Sequence, residues 1–150
     1  DWADGRDEVE VALSAVNLRD PLGEFFNCLA GVIPYSYEDV RSSSFIYRSG
    51  QIQLGDKEKT RLDQLVTYLK ADSSVKKVTI GAHTDSRGYR TINKQVSRRR
   101  AEAVRQYLSE QGISAKLCTI RAYGESRPTA SNRTKRGRAL NRRVEVTLLK

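Results

Sequence analysis

The chain has no methionine, a single histidine and a single tryptophan, and only two cysteines and three prolines among its 150 residues. Each scarcity removes a class of chemistry. His83 together with Cys28 and Cys118, ninety positions apart, matches no zinc-binding spacing, and the histidine could add at most a third ligand, so no structural metal is expected. The cysteine pair leaves two readings open: two buried free thiols, or one long-range disulfide that would imply an oxidising compartment. No apolar run approaches the ~20 residues needed to cross a bilayer, so direct membrane insertion is not expected. No lipidation or signal pattern stands at the start. A chain that begins at Asp1 and lacks methionine is expected to be a processed or truncated form. Acidic residues are scarce in one half only: residues 76–150 carry 19 basic and 5 acidic side chains, against 8 and 13 in residues 1–75. The basic half favours an anionic partner, and nucleic acid, an anionic membrane surface and a carboxylate-rich wall polymer all qualify.

What is present reads as one domain with a piece of another attached. "EVEVALSAV" alternates from Glu8 to Val16 as a strand would, and with "DWADGR" looks like the trailing edge of a preceding β domain. A short helix is expected over Pro21–Leu29. "SSSFIYRSG" is a strand with Phe45 and Tyr47 on one face, and "GDKEKTRLDQLVTYLKAD" an amphipathic helix capped by Asp56 and burying Leu62, Leu65, Val66 and Leu69. "VKKVTIGAH" is the next strand. A second helix runs from about Thr91 and stops at Gly112; "KLCTIRAYG" and "RRVEVTLL" are strands separated by the polar loop "ESRPTASNRTKRGRALN". This order predicts two helices packed on a small mixed sheet.

On the second helix, ~100° per residue places Ile92, Val96, Arg100, Ala103 and Tyr107 on one stripe. An arginine in a core-facing stripe calls for a carboxylate, and the nearest upstream is Asp85, at a strand end where open sheets commonly place ligands. No nucleophile motif, phosphate loop or carboxylate pair is recognisable, so neither catalysis nor a cofactor is expected. Asp85 and Arg100 held a few ångströms apart would grip an amino-acid headgroup, the carboxylate taking an ammonium and the guanidinium a carboxylate. Alternatively the two simply pair with each other. His83 reads as a packed strand-end residue orienting the Asp85 loop, and Arg98 and Arg99 as a solvated face. "NRTKRGRALNRR" has no interleaved aromatic to stack on bases, so nucleic acid is not an expected partner.

"GAHTDSRGYRTINKQVSRRRAEAVRQYL", "YGESRPTASN" and "GRALNRRVEV" together resemble the OmpA-like C-terminal peptidoglycan-binding domain, over roughly residues 41–150. The resemblance implies an α+β fold, an α/β sandwich of βαβαβ type with two helices on a mixed four-stranded sheet. It also implies peptidoglycan as partner, bound by Asp85 and Arg100 through the zwitterionic end of meso-diaminopimelate in the stem peptide. Thr84, Asn93 and Arg142 match further family positions, and Gly88 the loop glycine. Ala82 stands where the family usually has glycine and Val96 where it has leucine, and "FIYRSG" lacks the family's acidic or Asn residue. Residues 1–40 would be the tail of an N-terminal β domain plus a connecting helix. There, "FNCLAGVIPYSYEDV", with the second cysteine in "KLCTIRAYGE", is similar to stator-associated T-ring components of polar flagellar motors. That similarity implies a periplasmic protein at the flagellar basal body, a Cys28–Cys118 disulfide, and stator and basal-body ring proteins as partners. The alternative is a general envelope tether with no motor role.

Overall fold

The computed structural model describes residues 34–150; the elements expected at Glu8–Val16 and Pro21–Leu29, and Cys28, lie outside the described residues. Ser36 opens the first helix, α1 (Tyr37–Val40), through a capping box: its hydroxyl accepts from the Asp39 N–H while the Asp39 carboxylate accepts from the Ser36 N–H. Strand β1 (Ser42–Ile46) alternates, with Ser43 and Phe45 buried. Helix α2 (Asp56–Ala71) starts at Gly55 as its N-cap, with Asp56 inside its first turn rather than capping it, and buries Leu62, Leu65, Val66 and Tyr68. Then follow β2 (Lys77–His83), α3 (Arg90–Glu110), a single 3-10 turn and β3 (Cys118–Gly124). The expected polar loop before the last strand contains a helix, α4 (Lys135–Asn141), ahead of β4 (Arg143–Leu149). Seven residues with a glycine at the third position show no apolar period, so the cap is its only local signal: Thr134 Oγ1 accepts from the Gly137 N–H at 2.9 Å.

The sheet order is β1-β4-β2-β3, with β4 antiparallel to both neighbours and β2 parallel to β3. The fold is the expected α+β arrangement on a mixed four-stranded sheet. Val78, Ile80 and Ala82 of β2 pair across to Leu148, Val146 and Val144 of β4, which puts one apolar row on one face. That face shares a buried cluster with Phe45, Tyr47, Leu62, Leu65, Ala101, Val104 and Leu108. Each aliphatic side chain fully buried there contributes about 1.5–3 kcal/mol. The opposite face carries Ser44, Thr79, Arg121, Glu145 and Thr147.

Two expectations change here. Helix α3 turns Asn93, Ser97, Arg100, Ala101, Val104 and Leu108 inward, while Ile92 is 50 % exposed. The buried stripe is displaced from the apolar one because polar side chains occupy its first two turns. Ser97 Oγ accepts from the Gly124 N–H at 3.0 Å and donates to the Lys94 carbonyl. At Gly124 (φ +59°) a Cβ would stand 3.3 Å from the Lys94 nitrogen, so the helix and strand backbones meet too closely for a large apolar residue between them. The second change concerns the Cys28–Cys118 disulfide, which is not supported. Cys118 is a free thiol, 8 % exposed, opposite Val78 on the core face, where burial pushes its pKa up and it packs as a small hydrophobe.

Candidate functional site

Beyond the end of β2 the chain stays tied to β3, since the Thr84 N–H donates to the Gly124 carbonyl at 2.9 Å. Asp85 is the first residue free of the ladder. Its Oδ1 accepts from the Arg87 N–H at 3.1 Å, closing a local turn, and Gly88 then adopts φ +90°, which a side-chain-bearing residue rarely does. Asn93, in the first turn of α3, donates its amide to the Asp85 carbonyl at 3.3 Å and to Glu125 Oε2 at 2.6 Å. Strand end, loop and helix start are therefore held as one unit, and Asp85 keeps 7 % of its surface open.

Asp85 and Arg100 do not pair with each other. Arg142, at the end of α4, places Nη1 2.8 Å from Asp85 Oδ2 and donates Nε to the Tyr47 carbonyl at 3.1 Å. Among the described residues Arg100 has no carboxylate partner. It donates Nε to the Gln51 carbonyl (2.8 Å), Nη1 to the His83 carbonyl (3.1 Å) and Nη2 to the Arg48 carbonyl (3.4 Å), with its guanidinium 4.9 Å from the Tyr47 ring centroid. A delocalised cation can be buried this way because three carbonyl dipoles and a π face share the work of one anion. Burial still pulls the Arg100 pKa down, opposed by Tyr47 and by the nearby Asp85 carboxylate. Burial likewise pushes the Tyr47 phenol up to about 12. The site thus gathers one carboxylate paired with the Arg142 guanidinium and a second guanidinium, Arg100, in a carbonyl cage, where the β1–α2 loop, the end of β2 and the end of α4 meet.

Of the residues predicted from sequence, Asp85, Arg142 and Asn93 meet through hydrogen bonds, and Arg100 joins them through the backbone of His83. Thr84 adjoins Asp85, and among the described residues its buried Oγ1 has no hydrogen-bond partner. Gly88 contributes the turn. The His83 ring stacks on Tyr123 (centroids 4.9 Å apart, 20° between planes), as a packed strand-end residue should. Its Nε2 lies 3.7 Å from Glu145 Oε2, too long for a hydrogen bond, and burial first, then Arg143, lowers its pKa.

Sequence reasoning missed four contributing residues. The carbonyls of Arg48 and Gln51 leave no side-chain signal. Glu125 lies in the turn directly after β3, with nothing to mark its partner. Asn141 is the legible one: it stands beside Arg142 in "NRR" and uses its whole amide. Its Oδ1 accepts from the Thr129 and Ala130 N–H groups, and its Nδ2 donates to the Ala130 carbonyl and to Asn132 Oδ1. Asn132 Oδ1 in turn accepts from the Ser86 N–H at 3.2 Å, so this network braces the loop beside Asp85.

A strand end carrying Thr-Asp, a helix carrying Asn and a buried Arg, and an Asn-Arg pair closing the last helix define one class of protein. Residues 46–142 match the OmpA family, and the chain belongs to that family. Among individual relatives it is similar to the sodium-type flagellar protein MotY of Vibrio parahaemolyticus, 32 % identical over 148 residues, which is 99 % of this chain and 50 % of that protein. The chain therefore spans half the length of that relative. Among solved structures it is similar to the peptidoglycan-associated lipoprotein of Burkholderia pseudomallei, at 27 % identity and a TM-score of 0.67, covering 71 % of this chain and 89 % of that one. It shares its fold with the C-terminal domain of MotB from Helicobacter pylori, at 17 % identity and a TM-score of 0.65, covering 72 % and 84 %. Among the described residues no helix is long and apolar enough to cross a membrane.

Proposed function

We propose that this chain binds peptidoglycan without catalysis, through the meso-diaminopimelate of the stem peptide, and so anchors a stator-associated component of a flagellar motor to the cell wall. The observation that carries the reading is the single carboxylate, Asp85, paired with Arg142 just beyond the end of β2, with the Arg100 guanidinium held on the carbonyl of His83 two residues before it. A zwitterion matches that pattern: its ammonium goes to Asp85, its carboxylate to the guanidinium hydrogens that the carbonyl cage and Asp85 leave unused. The unpartnered Thr84 hydroxyl adds a hydrogen-bonding group beside Asp85. The motor assignment rests on similarity to MotY along nearly the whole chain, and with it go a periplasmic location at the basal body and ring or stator proteins as partners. The likeness to a peptidoglycan-associated lipoprotein favours the second reading, a general envelope tether using the same grip.

Co-sedimentation with diaminopimelate-containing peptidoglycan tests the wall-binding reading. Asp85→Ala is expected to abolish sedimentation while leaving the circular dichroism spectrum unchanged. Amidating the gripped diaminopimelate carboxylate is expected to weaken binding at least about tenfold, or ~1.4 kcal/mol. Sedimentation of Asp85→Ala at the wild-type level would remove the site assignment, and equal affinity for the amidated wall would replace the grip with general charge attraction.

A further inference from the structure

Strand β3 is one edge of the sheet, and among the described residues its backbone ladder runs along one side only, to β2. Only its last two residues find other partners: the Gly124 N–H donates to Ser97 Oγ, and the Tyr123 carbonyl accepts from Ser126 in the following turn. Alternate residues of a strand turn both backbone groups to the same side, so β3 presents a row of N–H and C=O groups outward. Its flanks are open too. Between its buried ends Thr119, Ile120, Ala122 and Tyr123 are half-buried and Arg121 is exposed, whereas Val78, Ile80 and Ala82 beside them on β2 are fully buried.

Cations stand on both flanks of this edge. On the helix side, ~100° per residue brings Lys94, Arg98 and Arg105 of α3, all exposed, within about 40° of one another. Two observations fix that row beside β3. At one end a Cβ on Gly124 would stand 3.3 Å from the Lys94 nitrogen, and at the other the Arg105 charge opposes the burial that raises the Cys118 pKa. On the opposite face Arg121 projects from the strand itself, and Arg127 lies over the Tyr123 ring with Cζ 4.3 Å from the centroid. None of these makes an ion pair with a described carboxylate. The acids nearby are Glu102, exposed one helical turn beyond Arg98, and Glu125, which already accepts the Asn93 amide.

We infer that the β3 edge is a docking site for an acidic, extended segment of a partner protein, added as a strand beside β3. The backbone row selects a peptide, because only a peptide returns donors and acceptors at the strand repeat. Successive side chains of an added strand point to opposite faces, and cations meet them on both, so carboxylates are favoured whichever face they take. The same arginines oppose pairing with the β3 edge of a second copy of this chain. The other edge, β1, has no charge from Ser42 to Ile46 and makes no such selection. The inference does not use Asp85.

Amide NMR on the full chain tests it. The probes are a capped peptide of alternating glutamate and threonine, the same peptide with lysine in place of glutamate, and the glutamate peptide methylated at every backbone nitrogen. The glutamate peptide is expected to shift the amides of residues 119–123 and slow their exchange, and the other two peptides to do neither. The double variant Arg98→Glu, Arg121→Glu changes only exposed side chains outside the wall-binding site. It is expected to keep its circular dichroism spectrum and to bind the glutamate peptide about fivefold more weakly than the unaltered chain. No protection of residues 119–123 by the glutamate peptide would overturn the docking site. So would equal binding of the methylated peptide, which would give the flank to anionic polymers at large, or a folded variant with the affinity of the unaltered chain.

Discussion

Arg142 Nη1 lies 2.8 Å from Asp85 Oδ2, although 57 positions separate the two residues in the chain. The contact joins the end of α4 to the loop after β2, and neither partner is solvated enough to do without it: their side chains are 19 % and 10 % exposed. Arg142 also holds the Tyr47 carbonyl, so one guanidinium links three segments of the site.

Removing that guanidinium leaves a largely buried carboxylate without its counter-ion. Arg142→Ala is therefore expected to cost about 1–3 kcal/mol, read as a shift of the urea midpoint at unchanged slope. Asp85→Asn keeps an acceptor for only one of the two donors, the Arg87 N–H or Arg142 Nη1, but leaves no carboxylate without a counter-ion, and is expected to cost less. A loss for Arg142→Ala below ~0.5 kcal/mol would class the pair with surface ion pairs.

Arg100 makes a different prediction because its partners are carbonyls. Three acceptors placed around a planar fork cannot be served by an ammonium on a flexible stem, so Arg100→Lys should destabilise the domain nearly as much as Arg100→Ala. Each should cost roughly 2–4 kcal/mol, with carbonyls of the β1–α2 loop left unpaired. Hydrogen exchange of residues 48–55 gives the local readout: faster exchange there in both variants is expected. A lysine variant as stable as the parent would show that charge, and not the fork, is what the cage requires.

His83 sets a pH dependence whose sign follows from its environment. Burial first, then Arg143 and Arg127, lower the folded pKa below the usual 6.5, while Glu145 opposes them; Tyr123 stacks on the ring. Below pH ~6.5 the unfolded chain takes a proton that the folded one refuses, so stability falls as pH drops from about 7 toward the folded pKa. His83→Phe keeps the stacking and cannot titrate, so its stability should be flat over pH 5–7. Asp72 does not confuse the measurement: its carboxyl is held low chiefly by Lys150, with Ser74 and Tyr68 adding, and it acts only below its ordinary range near 3.8. Parallel pH profiles for parent and variant over pH 5–7 would assign the dependence to another group.

Much of this architecture is legible in the chain because its signals are local. The apolar positions of β2 and β4 alternate, α2 carries its own stripe, and Thr84-Asp85 sits where a strand pattern stops. The phase of α3 is less so. Ile92 looks like a core residue and Asn93 and Ser97 do not, yet the polar pair turns inward because backbone groups of the 85 and 124 turns need partners. Asp85 is legible as a carboxylate at a strand end, but its guanidinium partner is not, since Arg100 and Arg142 are equally arginine and only the fold decides which one reaches it. The carbonyl cage around Arg100 could not have been read at all, because every residue has a carbonyl.

Gly137 tests whether the short helix α4 is a structural necessity of the site. "KRGRALN" reads in the sequence as part of a polar loop. In the fold that glycine is packed against the segment Asn141 braces: an added Cβ would collide with the Ser131 carbonyl oxygen and stand 2.9 Å from Thr134 Oγ1. The first obstacle is backbone, so the contact cannot be relieved by turning a side chain, and the 129–132 loop or the helix itself must move. Gly137→Ala is therefore expected to destabilise by about 1–3 kcal/mol, as overpacking does, even though alanine is the better helix former by ~1 kcal/mol. Because Arg142 caps the same helix, the displacement should reach Asp85, and affinity for a diaminopimelate peptide should fall in the folded variant as well. Ser131 meets the added Cβ through its backbone, and its side chain only accepts a long, exposed hydrogen bond from the Arg133 N–H at 3.3 Å, so Ser131→Ala should stay within about 0.5 kcal/mol of the parent and keep its affinity. A Gly137→Ala variant with the parent's midpoint and affinity would show that α4 shifts freely, and that Arg142 does not depend on its placement to reach Asp85.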